Sequence, residues 1–317
     1  MKPPLAHESL VPGILLALAG TFMFSLKPIL IKHAYAMGVS SEQLITLRML
    51  FAIPFYIGVI LYYSFRNAHI RHLYVQYMLP VAALGVLGYF VASYLDLLGL
   101  QYISAQLERV VLFCFPTIVV LMSYFFFKTR LPKNIWLLLG MSYAGILLIF
   151  GHDLSVLGTE VAKGTALVFL SAIAFAIYVL WSKPIMSKIG SQVFTSMAMV
   201  AASIVILVFF FVSQSTNIGS IKGSGLLVSK EAYLVCAAIA FFCTVIPSLL
   251  VAEAIHKIGP ERTSIVGTSG PAITSVFAVT WLGEPFTVYH GAGLGLIMLA
   301  VGLMMRPASS ASSASST

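Results

Sequence analysis

Ten stretches of about twenty apolar residues follow one another along the chain with hardly a break between them. They fall at about 11–34, 43–64, 75–99, 103–127, 134–150, 163–182, 191–213, 231–255, 262–282 and 288–306. Twenty residues of helix cross about 30 Å of hydrocarbon. Lipid offers no hydrogen bonds, so a backbone crossing it must satisfy its own polar groups, and a helix does so within one segment. Sixty per cent of the 317 residues are hydrophobic and only 9% are charged. No soluble domain buries that much apolar surface. The chain is therefore expected to be an all-α integral membrane protein of ten transmembrane helices.

Two distant regions read as one element written twice. Residues 103–131 and 258–286 are apolar stretches with a proline near the middle. Laying Pro116 on Pro271 also pairs Ile103 with Ile258, Val111 with Val266 and Ile118 with Ile273. A similar shift lays residues 13–32 on 164–183, pairing Gly13 with Gly164, Leu16 with Leu167, Phe24 with Phe175 and Lys32 with Lys183. The expected halves are residues 1–150 and 151–307, followed by a polar Ser/Ala tail over 308–317 to which no structure is given.

Five helices per half is an odd number, so the second half must enter the membrane from the opposite face. The two repeats are then inverted, with a site expected between them. Basic residues set the orientation. With the amino terminus in the cytoplasm, that side carries Lys2, Arg66, Arg71, Lys128, Arg130, Lys133, Lys183, Lys188, Lys257, Arg262 and Arg306. The other side has only Lys32, Lys163, Lys222 and Lys230. Both termini are expected inside. Short loops without added domains fit a bacterial inner membrane.

The first window is not read as a cleavable signal, because it holds Lys27 and Pro28 and a second window follows at once. Cys114, Cys236 and Cys243 all lie within windows, without the spacing of a disulfide framework or a zinc site. The formal charge of +8 is read as cytoplasmic loop charge rather than as nucleic-acid binding. No GxxxxGK[ST] loop is present, and no nucleotide or other cofactor is expected. The longer loops, 65–74, 151–162 and 214–230, leave no room for a soluble domain.

The chain resembles the EamA-type, ten-helix group of the drug/metabolite transporter superfamily over residues 11–306. Arg48 early in the second window carries the likeness, with the Ala/Ser-led fourth window around Pro116 and its copy around Pro271. The copy ends in Leu282-Gly283-Glu284-Pro285, similar to the family's helix-end Gly-Glu, whereas the first repeat has Lys128-Thr129-Arg130 at that place. The resemblance implies a central cavity lined by windows 1, 3, 4, 6, 8 and 9. It also implies small polar or amphiphilic organic cargo, commonly exported.

Ionisable side chains inside the windows are the sharpest local clue, since each costs about 2.5–3.5 kcal/mol at a helix centre. Lys27, Arg48, Asp96, Glu108 and Arg109 fall in the outer part of windows 1 to 4 and are expected to pair. They serve either as register-holding ion pairs or as a gate on the substrate pathway. Glu253, with no cationic neighbour apparent in its own window, is the proton-coupling candidate; a bond to Lys257 or Arg262, or plain exposure to the cytoplasm, is the alternative. In the ninth window Ser264, Gly267, Thr268, Pro271 and Ser275 form one small, polar stripe, either a packing face or a cavity wall. Pro116 and Pro271 each free a backbone carbonyl that a neighbour or a water-lined cavity must satisfy. Phe22, Phe24, Tyr89, Tyr94, Tyr178 and Trp181 line the cavity or face core and lipid. Gly291 and Gly295 could pack against Gly140, Ala144 and Gly145 of the fifth window, or form a homodimer contact.

These features point to a secondary active transporter of a small organic metabolite such as an amino acid or organic acid. It would work by alternating access, as an exporter or exchanger, with proton coupling a candidate. An intramembrane enzyme acting on a lipid or isoprenoid would need clustered Asp or His/Asp motifs. The seven histidines are instead scattered, and aspartates occur only at 96 and 153. A channel or a scaffold is the remaining alternative.

Overall fold

The computed structural model of the chain describes residues 10–66, 71–128, 135–216, 225–267 and 269–304. Among them no strand occurs. Eight helices are long and apolar enough to span a membrane, and two shorter apolar helices complete the ten. Spans 1 to 5 are Leu10–Ala36, Ser41–Arg66, Met78–Leu100, Ala105–Phe126 and Ile135–Leu157. Spans 6 and 7 are Glu160–Ile189 and Ser191–Val212, and spans 9 and 10 contain Gly270–Leu282 and Val288–Leu303. Span 8 starts at Lys230 and its helix continues to Gly267. Large apolar side chains such as Leu15, Phe125, Trp136 and Leu147 lie exposed on the outside, as a lipid-facing surface requires.

The packing follows the repeat. Spans 2 and 7, 4 and 9, and 5 and 10 are partners in sequence and neighbours in space. Span 1 instead lies against span 8, and span 6 against span 3, so those partners are exchanged between halves. Gly13 of span 1 leaves no room for a side chain beside Ile258. Gly164 of span 6 does the same beside Ile103, where an added Cβ would sit 2.7 Å from Ile103 Cγ2. Gly13 pairs with Gly164 and Ile258 with Ile103 in the repeat, so the two contacts are one contact made twice. One is made where span 1 begins and the other where span 6 begins, at opposite ends of the bundle. The chain is two inverted five-helix repeats.

Breaks in the helices repeat as well. Span 4 is built from Ala105–Leu112 and Phe115–Phe127 with a break at Phe113–Cys114. The shift that superposes Pro116 on Pro271 carries these pieces onto the end of the long helix at Gly267, the turn at Ser269 and the helix Gly270–Leu282. Each proline sits at the start of the second piece, where its missing N–H costs least. The same shift carries the π-helical turn Val86–Val91 of span 3 onto Phe241–Val245 of span 8. Both second pieces close in the left-handed region, at Lys128 (φ 51°) and Gly283 (φ 68°). Glycine takes that conformation freely, whereas a lysine strains to do so.

Three expectations need correction. The gap left between the eighth and ninth windows, residues 256–261, is helical, unlike its repeat partner, the turn Gln101–Ser104. Span 10 packs on span 5 through Gly293 rather than Gly291 and Gly295: a Cβ on Gly145 would meet Gly293 O at 2.6 Å. A Cβ on Gly295 would meet no neighbouring helix within 4 Å, and one on Gly291 only the Phe286 ring. Span 1, read as one window, is two helices, Leu10–Ser25 and Lys27–Ala36, joined at Leu26.

Candidate functional site

The break in span 1 organises the charged residues. Pro28 has no N–H to give to the carbonyl of Phe24, four residues back. Arg109 of span 4 supplies the donor instead, its Nη2 lying 2.6 Å from Phe24 O. The next carbonyl, that of Ser25, accepts from Thr274 Oγ1 of span 9 at 2.9 Å. Side chains from both repeats therefore complete the backbone of span 1 at its weakest point, as a hydrocarbon setting demands.

Lys27 follows the break at once. Its Nζ donates to Asp96 Oδ2 of span 3 at 2.7 Å, and both side chains are largely buried. Glu108 is buried beside Arg109, its Oε2 4.0 Å from Arg109 Nε. The Glu108 and Asp96 carboxyls are close enough to act on each other electrostatically. Asp96 Oδ1, Glu108 Oε2 and Arg109 Nε all stay buried without a donor or acceptor. Such unsatisfied groups are costly and rare. Here they sit together on spans 3 and 4, beside Lys27 of span 1.

Arg48 departs from the expected pairing. It is 3% exposed, with no carboxylate at ion-pair distance among the described residues, and its Nε has no partner. Burial strips it of water, and Asp96 is the acidic group that acts on its charge. Glu42, absent from the expected site, is also buried in span 2, where its Oε1 accepts from Tyr94. Its place in the first turn of a helix gives it the look of an ordinary capping acid.

Glu253 is the larger departure. Lys257 lies one turn along the same helix, with Nζ 3.3 Å from Glu253 Oε1 and both side chains substantially exposed. The premise of a carboxyl without a cationic neighbour does not hold. In the ninth span Thr268 lies outside the described residues, as does the side chain of Ser264. Pro271 and Ser275 are buried. Tyr89 and Tyr178 face each other across spans 3 and 6 with their hydroxyls 2.9 Å apart. Phe22 and Trp181 lie exposed at the surface.

At the end of the bundle where spans 1, 3 and 5 finish, here the distal end, Glu284 ties the repeats together. Its Oε1 accepts from the Ala105 N–H at 2.7 Å and its Oε2 from the Gln106 N–H at 3.3 Å. The carboxylate closing span 9 thus caps the N-terminus of span 4, where a helix favours negative charge. The equivalent position in the first repeat, Thr129, lies outside the described residues.

Comparison with known proteins agrees with this architecture. An uncharacterized transporter of Bacillus subtilis, YcbK, is 25% identical over 294 residues covering 91% of each chain. An uncharacterized transporter of Archaeoglobus fulgidus is 27% identical, covering 71% of this chain and 77% of its own length. A crystal structure named only as that of a protein matches with a TM-score of 0.62 at 15% identity, covering 92% of this chain and 95% of the other, which speaks for the fold alone. The EamA-like transporter family matches twice, over residues 11–151 and 162–306. With nearly the whole chain matched and the ten helices in place, this integral membrane protein belongs to the EamA-like transporter family.

Proposed function

We propose that the chain is a secondary active transporter that exports or exchanges a small anionic or zwitterionic organic solute, such as an organic acid or amino acid. Both termini lie on the cytoplasmic side in this reading. The observation that carries it is the junction at Leu26–Pro28, where an interrupted helix is completed by Arg109 and Thr274 from opposite repeats beside the Lys27–Asp96 pair. Interrupted helices with charges at a repeat interface supply a binding site and a place to bend. Rocking one repeat against the other requires Thr274 of the second repeat to release the Ser25 carbonyl of the first, while Arg109 stays on Phe24 within its own repeat, which is how alternating access and solute binding become one event.

Arg48 supports an anionic group on the cargo, because a buried guanidinium with an unfilled donor is an anchor for a carboxylate or phosphate. Coupling to protons is assigned to Asp96 and Glu108 rather than to Glu253. A proton shared between the two carboxyls satisfies the unpartnered oxygen on each, and its departure leaves two anions facing Lys27 and Arg109. Glu253, half-exposed and paired with Lys257, has no comparable need.

The test is counterflow in proteoliposomes loaded with organic acids, amino acids, nucleosides, sugars or cationic drugs. Uptake confined to acids or amino acids, abolished in Arg48→Gln and Asp96→Asn, is expected. Uptake of cations alone would overturn the cargo assignment. No counterflow with any class would overturn transport and return weight to an intramembrane enzyme or scaffold.

A further inference from the structure

The distal end holds a second polar cluster, distinct from the groups that complete the span 1 break. His152 and Asp153 close span 5, and His290 opens span 10. The Asp153 carboxylate is almost fully buried, yet no lysine or arginine reaches it at ion-pair distance among the described residues. Instead Asp153 Oδ1 lies 3.3 Å from His152 Nδ1 and 3.2 Å from His290 Nε2. In a tetrahedral site with bonds of about 2.0–2.1 Å, neighbouring ligand atoms stand about 3.3 Å apart. The spacing is that of two edges of such a site.

The surroundings fit the same chemistry. Metal-bound histidines and carboxylates are held in place by hydrogen bonds to their other atoms. Asp153 Oδ2 accepts from Ser104 Oγ at 2.8 Å, and His290 Nδ1 lies 2.9 Å from Thr287 Oγ1. Beside the three groups is a cavity of about 350 Å³ that also takes in Lys32 and Glu284. It leaves room for water or solute at a fourth position. The cavity carries two carboxylates, Asp153 and Glu284, against one ammonium, Lys32, so a cation improves its charge balance. Two imidazoles and a carboxylate suit Zn²⁺, Co²⁺ or Ni²⁺ better than the oxygen-seeking Mg²⁺ and Ca²⁺.

We propose that His152, Asp153 and His290 form a binding site for a divalent transition metal that staples span 5 of one repeat to span 10 of the other. Binding requires both ring nitrogens facing Asp153 to be free of protons, so affinity for the ion rises with pH. The staple lies beside Ser104 and Glu284, the groups capping span 4, so the bound ion holds the distal end in the arrangement seen here.

The test uses the purified full-length protein in detergent, free of any polyhistidine tag and stripped with chelator. Co²⁺ titration should give the intense visible bands of a tetrahedral site, saturating at one ion per chain. Zn²⁺ should raise the melting temperature in steps that grow with the logarithm of its concentration, while Mg²⁺ should not. His152→Ala, at the partly exposed ligand, should weaken Zn²⁺ binding by at least about 100-fold, the upper end for loss of a mere outer-shell partner. The metal-free variant should melt within a few degrees of the parent. His290→Asn serves as the second variant should His152→Ala fail to fold. Absence of saturable Co²⁺ bands, equal stabilisation by Mg²⁺, or unchanged Zn²⁺ affinity in a folded variant would overturn the proposal. None of these readouts depends on transport.

Discussion

Replacing Asp96 by asparagine should destabilise the protein far more than a surface change, because it strands the Lys27 ammonium. The two side chains are 14% and 3% exposed and meet at 2.7 Å. Removing one partner of a buried pair costs about 3–5 kcal/mol, since the other charge stays behind without compensation. The residual exposure of Lys27 lets its head reach some water, which points to the lower end, about 3 kcal/mol. At about 2–4 °C per kcal/mol, the melting temperature should fall by about 6–12 °C. A thiol-reactive dye suits the measurement, because Cys114, Cys236 and Cys243 are all buried and free and become reactive only on unfolding. The double variant Lys27→Met/Asp96→Leu removes both charges and should melt closer to the parent than either single variant, because a buried pair is often replaceable by apolar groups. Counterflow should nevertheless be lost in both, separating the pair's role in function from its role in stability. A single variant that melts within 2 °C of the parent, or a double variant worse than both singles, would refute a sealed and mutually dependent pair.

Four further outcomes are expected. Glu253→Gln should cost under about 0.5 kcal/mol, as an exposed i,i+4 pair does, and should leave the pH profile of transport unchanged in counterflow run across pH. Glu284→Ala should remove both N–H partners at the start of span 4 and cost about 1–2 kcal/mol, read as a lower melting temperature. Gly145→Val should drive a side chain into the Gly293 carbonyl and lose about 1–3 kcal/mol, whereas Gly295→Ala, facing open space, should be neutral in the same assay. Lys128→Gly should raise the melting temperature by relieving about 1 kcal/mol of left-handed backbone strain, while Gly283→Ala should lower it by a similar amount.

Legibility in the sequence varied with the range of the interaction. The apolar windows and the register of Pro116 on Pro271 were readable because hydropathy and proline act within one segment. The pairing of Lys27 with Asp96 was foreseeable in kind, since charges at one depth on neighbouring helices seek each other, but the role of Arg109 was not. Only the geometry of the span 1 break shows that a cation from another helix stands in for the N–H that Pro28 lacks. The π-helical turns at 86–91 and 241–245 carry no proline and share no residue signal, so no reading of either segment alone would place them. His290 looked unrelated to His152 and Asp153 because well over a hundred residues separate it from them, and the contact between spans 5 and 10 brings them together. Residues 256–261 misled in the opposite sense: Gly259-Pro260 is a strong local turn signal, yet the helix runs through it.

That continuous helix from Lys230 to Gly267 makes the two halves mechanically unequal. In the first repeat the turn at Gln101–Ser104 lets spans 3 and 4 swing separately, like two oars. In the second, whatever tilts span 8 drags the opening of span 9 with it, like a single boom. The two half-turns of a transport cycle would therefore meet different resistance, one hinging at a joint and the other bending a rod. Because each stroke and its reverse cross one barrier, this inequality sets which part of the bundle yields first, and not the direction of net movement.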